Sequence, residues 1–112
     1  MLTSGISTVN YGVTIDLNGY DIDGTAVTSS DGAVALKTNY SSKPVDGVDS
    51  TMRLINSVSG QGGTIRAKLP VSVKSGNSTI PLPAEIGAGV TLEVLEGGTD
   101  AVKLDSSAYL LY

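Results

Sequence analysis

The densest group of chemically capable residues is a run of carboxylates, Asp16, Asp21, Asp23 and Asp31, set among Gly and Asn. If residues 20–23 are extended, Asp21 and Asp23 project from one face, and their oxygens could meet a Ca²⁺ ion. An EF-hand loop also needs regularly spaced oxygen ligands and a closing Glu at its twelfth position, and this spacing does not supply them. Asp beside Gly is equally the composition of tight turns, a role that needs no metal. Glu85, Glu93 and Glu96 could be paired with an Asp for acid–base cleavage of a sugar, but nothing in their spacing sets two of them across a cleft. Gly60-Gln61-Gly62-Gly63 lacks the Lys-Ser/Thr and the following helix of a phosphate-binding loop. Asn39-Tyr40-Ser41 and Asn77-Ser78-Thr79 match the glycosylation sequon, which matters only in a secreted chain. With no His and no Cys, histidine-based triads and Cys/His zinc sites are excluded. The expectation is a non-enzyme with no metal, no cofactor and no small-molecule substrate.

The remaining charged residues speak to partners. A net charge of −4 disfavours nucleic acid and anionic membranes. The seven cations are dispersed along the chain. Arg66 and Lys68 nevertheless fall on one strand face, either as a solvated surface or as a short basic strip for an acidic partner. Residues 1–9 lack the basic and apolar regions of a secretory signal, so the expectation is a product made in the cytoplasm of its producer. No apolar run approaches the length of a membrane-spanning helix.

These residues must be positioned by strands. The 112 residues fit one domain spanning 1–112. Fourteen Gly, no Phe and no Trp imply many turns and a core of Val, Ile, Leu and Tyr. Such a core is thin, and small folds with thin cores often gain stability by oligomerising. Val13, Ile15 and Leu17 alternate with polar residues, as do Ile65, Ala67 and Leu69, and Val90, Leu92 and Val94. Alternation of this kind marks half-buried strands. Asn18-Gly19 is a strong hairpin signal, since both central residues of a type I′ turn need positive φ. About eight to ten short strands emerge, with no helix. The long polar stretch 39–50 suggests a crossing connection. The fold expected is all-β, a small jelly-roll-like or Greek-key sandwich or barrel of antiparallel strands.

The segment Ala108, Tyr109, Leu110, Leu111 and Tyr112 carries no side-chain charge and is apolar on both strand faces. It reads either as a central strand covered inside the domain or as a strand that packs against another subunit. Tyr40 and Lys43 in the long loop join it, with Arg66 and Lys68, as interface candidates. Residues 1–10 form a candidate arm that orders on binding.

Residues 13–24, VTIDLNGYDIDG, resemble one rung of right-handed parallel β-helix proteins such as polysaccharide lyases and phage tailspikes. No second rung of matching period follows, so a full solenoid is not expected. In size, in the absence of Cys and His, in its Gly/Ser/Thr/Val-rich strands and in its apolar 108–112 segment, the chain resembles capsid decoration proteins, in particular the stapling proteins of epsilon-fifteen-like short-tailed phages. That resemblance implies a jelly-roll-like fold, a dimer or trimer, and a place on the capsid exterior. There it would bind major capsid protein and lock neighbouring subunits together. The alternative is a carbohydrate- or receptor-binding module of a tail fibre or spike, using Tyr11, Tyr20 and Tyr40 as stacking platforms.

Overall fold

A computed structural model describes residues 1–38, 49–77, 79–105 and 107–111. Among them are eleven short strands: β1 (Ile6–Ser7), β2 (Thr14–Asp16), β3 (Ile22–Asp23), β4 (Val34–Lys37), β5 (Met52–Ile55), β6 (Thr64–Ala67), β7 (Val71–Lys74), β8 (Leu82–Ile86), β9 (Thr91–Val94), β10 (Val102–Asp105) and β11 (Ala108–Leu110). They form three sheets in the orders β1-β4-β7-β10, β2-β5-β8-β11 and β3-β6-β9. Every strand pairing is parallel. The chain therefore visits a first, a second and a third face in turn and then repeats, each rung lying on the one before. This is a three-faced parallel β-solenoid.

The expected antiparallel jelly roll or Greek key is wrong, and so is the expectation that no full solenoid would follow the 13–24 phrase. Parallel neighbours cannot be joined by a tight hairpin and need a long crossover; here the other two faces of the rung serve as that crossover. The Asn18-Gly19 turn shows how the misreading arises. Both residues have positive φ, 50° and 82°, and Tyr20 N–H donates to the Leu17 carbonyl at 2.9 Å. The backbone of a type I′ turn is thus present. It bends the chain from the second face to the third, and β2 and β3 lie in different sheets. Residues 13–24 do form a piece of one rung, as the β-helix resemblance implied.

Alternation along each short strand sends every second side chain inward, and parallel register stacks these side chains into columns. On the first face Ile6, Val34, Val71 and Val102 align, as do Leu36, Val73 and Leu104. On the second, Ile15, Leu54 and Ile86 align beside Met52, Ala84 and Leu110. On the third, Ile22, Ile65 and Leu92 align beside Ala67 and Val94. The middle rungs are sealed: Val34, Leu36, Met52, Leu54, Ile65, Val71, Val73, Leu82 and Ala84 are all 0 % exposed.

Candidate interaction surfaces

The carboxylates singled out as candidate ligands tie turns together. Asp16 Oδ1 accepts from the N–H groups of Asn18 (2.8 Å) and of Ser57 one rung later (3.0 Å). Hydrogen bonds from Ser57, then from Asn18, hold the Asp16 carboxyl below the usual range. Asp21 accepts from Thr64 N–H at 3.0 Å, again one rung on. Asp23 caps its own turn by accepting from the Thr25 hydroxyl and N–H, and its pKa is lowered chiefly by those bonds. Asp31 pairs with Lys37 at 3.2 Å. Among the described residues, no group of three or more metal-ligating side chains is close enough to hold an ion.

Asn56 does similar work at the corner between β5 and β6. Its Oδ1 accepts from Gly19 N–H of the first rung at 2.9 Å, and its Nδ2 donates to Gln61 O at 3.1 Å and to Gly89 O of the third rung at 3.3 Å. One side chain thus joins three rungs. Its position just after an apolar strand and ahead of a Gly-rich run was the available sequence signal.

The outward faces carry mixed charge. Arg66 and Lys68 are both exposed. Arg66 Nε meets Glu93 at 3.0 Å, in the column Asp23, Arg66, Glu93 that crosses the third face. Of the two cations on this strand face, Arg66 therefore already has an acidic neighbour within the chain. On the second face Arg53 lies between Asp49 (2.9 Å) and Glu85 (3.7 Å). The Asp49 carboxyl is lowered to about 2 by hydrogen bonds from Thr51 and then from Arg53. Lys103 pairs with Asp105 at 3.5 Å.

Among the described residues, 108–110 form the edge strand of the second face and pair with β8 alone. Ala108 and Leu110 pack against the core. Tyr109 and Leu111 are exposed. The segment is thus neither a central strand nor detached from the domain. Tyr40, Lys43 and Tyr112 lie outside the described residues. The proposed 1–10 arm is built into the solenoid: Leu2 N–H donates to Asp23 O at 2.9 Å, Ile6 N–H to Ala33 O at 2.8 Å and Thr8 N–H to Ala35 O at 3.1 Å. Of the candidate stacking tyrosines, Tyr20 is exposed and Tyr11 packs partly against the core; Tyr40 is outside the described residues.

The surfaces that sequence reasoning missed are the two ends of the coil. Inward columns that are sealed in the middle open there: Ile6 is 39 % exposed at one end, and Leu104 is 45 % and Val94 37 % exposed at the other. The strand edges of β9, β10 and β11 are also unpaired by any described strand on that side. The described surface also carries shallow hollows. One of about 580 Å³ lies against Glu85, Gly87 and Leu111, and one of about 170 Å³ against Ser4, Asp31 and Lys37. Comparison with family models, curated proteins and solved structures finds no match to this chain.

Proposed function

We propose that this chain is a non-enzymatic structural module that works by packing its solenoid against other protein subunits of a phage particle. The observation that carries the reading is the pair of open ends, where apolar columns and strand edges meet solvent together. Exposed apolar edges of this kind are normally covered by another chain. Within a virion, the corrected fold moves the favoured placement. The stapling of major capsid protein from outside rested on a resemblance that implied a jelly roll. A parallel coil is instead what the resemblance of residues 13–24 to parallel β-helix proteins such as phage tailspikes implies, which favours a spike or fibre component. Arg53 and Arg66 already face carboxylates of the chain itself, and the chain carries few aromatic residues for stacking on sugars.

Immunoelectron microscopy of particles from the producing cells, with antibody against the purified chain, tests this. Label on tail appendages is the expected result. Label spread over the head supports capsid stapling instead, and absence of label from every particle refutes a virion role. Saturable binding to a glycan array would refute a purely structural module.

A further inference from the structure

We propose that the open β9–β10–β11 end is covered by the opposite end of a second copy of this chain, stacked head to tail so that the coil runs on without a break. The inference rests on the assembly reading above and names the partner.

The first argument is one of phase. Gly24 N–H donates to Arg66 O where Asp23 aligns with Arg66. Leu2 N–H donates to Asp23 O in the same way, which sets Met1 beside Asp23 and Leu2 beside Gly24 on the third face. Residues 1–2 therefore stand on the third face, ahead of the first complete rung. At the other end, the fourth rung has β10 on the first face and β11 on the second, and no strand on the third among the described residues. Residues 1–2 thus stand on the one face that the described part of the fourth rung does not cover. Laying residues 1–2 of a second copy over β9 brings its β1 onto β10 and its β2 onto β11, with no face doubled or skipped.

The second argument is chemical. Continuing the observed registers puts Ile6 of the second copy on Val102, its Leu2 on Val94 and its Val13 on Leu110. Apolar columns thus meet apolar columns. The outward column Asp23, Arg66, Glu93 alternates in sign, and in this phase Glu93 meets Met1 of the second copy, which has no side-chain charge. In the phase that sets β3 of the second copy on β9, Glu93 would face Asp23, a like-charge pair that strand pairing disfavours. The joint is heterologous and does not close on itself, so chains of copies should grow.

Sedimentation velocity over a range of concentrations tests the proposal, with two blocked variants. Leu104→Asp and Ile6→Asp each place a carboxylate at an inward, half-exposed position that the joint would bury. The wild-type mass should climb with concentration in multiples of 11.4 kDa. Each variant alone should remain a monomer. An equimolar mixture should give a species of twice the monomer mass and nothing larger, because each variant keeps one competent end. A monomeric wild type, association of either variant alone to the wild-type extent, or a mixture that stays monomeric overturns the proposal. Circular dichroism confirms that the variants fold.

A variant pair that leaves the core untouched guards against misfolding. Lys103 and Ser7 align in the joint, and neighbouring strands lie ~4.8 Å apart, within disulfide reach. In this cysteine-free chain, oxidised Lys103→Cys/Ser7→Cys should run as a ladder of linked copies, while Lys103→Cys/Thr25→Cys should not. Absence of the first ladder overturns the stacking. A monomer that still labels particles refutes the stacking alone, whereas a ladder without particle label refutes the virion placement alone.

Discussion

Leu36 and Leu104 occupy the same inward column, on β4 and β10, with Val73 between them. They differ in position along the coil: Leu36 is 0 % exposed and Leu104 is 45 % exposed. Truncating each to Ala is therefore a controlled measurement of what a covering rung contributes. Leu36→Ala loses the full transfer energy of the removed atoms and leaves a closed cavity, which together cost about 3–4 kcal/mol. Leu104→Ala loses about half the transfer energy and leaves a notch open to water, so its cost is about 1 kcal/mol. In urea, with a slope of about 1–2 kcal/mol/M for a domain of this size, the first substitution moves the midpoint by about 2–3 M and the second by about 0.5–1 M. The measurement belongs at low protein concentration, since a second copy seated on β10 would raise the cost at Leu104. Equal losses at the two sites would refute the column register and the openness of that end.

Asn56→Ala removes a corner that joins three rungs and leaves Gly19 N–H without its acceptor. A loss of about 1–2 kcal/mol is expected, read from thermal unfolding together with faster amide exchange at Gly19. Gly62→Ala places a methyl on a residue with φ +62° and drives it into the Gly19 carbonyl of the rung below; a loss of about 2 kcal/mol or more is expected by urea titration. The Asp49 carboxyl is depressed to about 2 in the folded chain. Its contribution is fully present above the unfolded value of about 3.9 and is lost as pH falls through the folded one. The stability-against-pH curve should accordingly flatten between about pH 4 and 2 in Asp49→Asn, with Asp16 and Asp23 keeping the residual slope in the same direction.

Strand content was legible because it is local. The alternations Val13-Ile15-Leu17 and Ile65-Ala67 report inward and outward positions whatever the strands pair with. Pairing was not legible, for two physical reasons. The positive φ values that Asn18-Gly19 permits serve a corner as well as a hairpin, so the strongest turn signal does not distinguish a fold-back from a bend. The repeat that would have revealed a solenoid is uneven: aligned residues lie 26 apart from Ala84 to Leu110 but 43 apart from Ile22 to Ile65. The spacing varies while the aligned columns keep their register, so the sequence period is lost and the stacking is kept. The carboxylates looked like candidate ligands for a related reason. A side chain that caps a corner has the same composition around it as one that binds a cation. Only the distances from Asp16 to Ser57 and from Asp21 to Thr64 separate the two roles. The ends of the coil were invisible because nothing local in Ile6 or Leu104 marks where an inward column stops.

All eleven strands run across the coil, so the hydrogen bonds between rungs lie along it, while residues 2 and 111 sit on rungs at opposite ends. Tension applied between those ends pulls on the bonds lengthwise and loads one interface at a time. The chain should then pay out in steps of one rung at low force. Tension applied along a strand must shear a row of bonds together and should meet much higher resistance. The same molecule would be weak as a tether and strong as a transverse strut, a mechanical anisotropy set by strand direction alone.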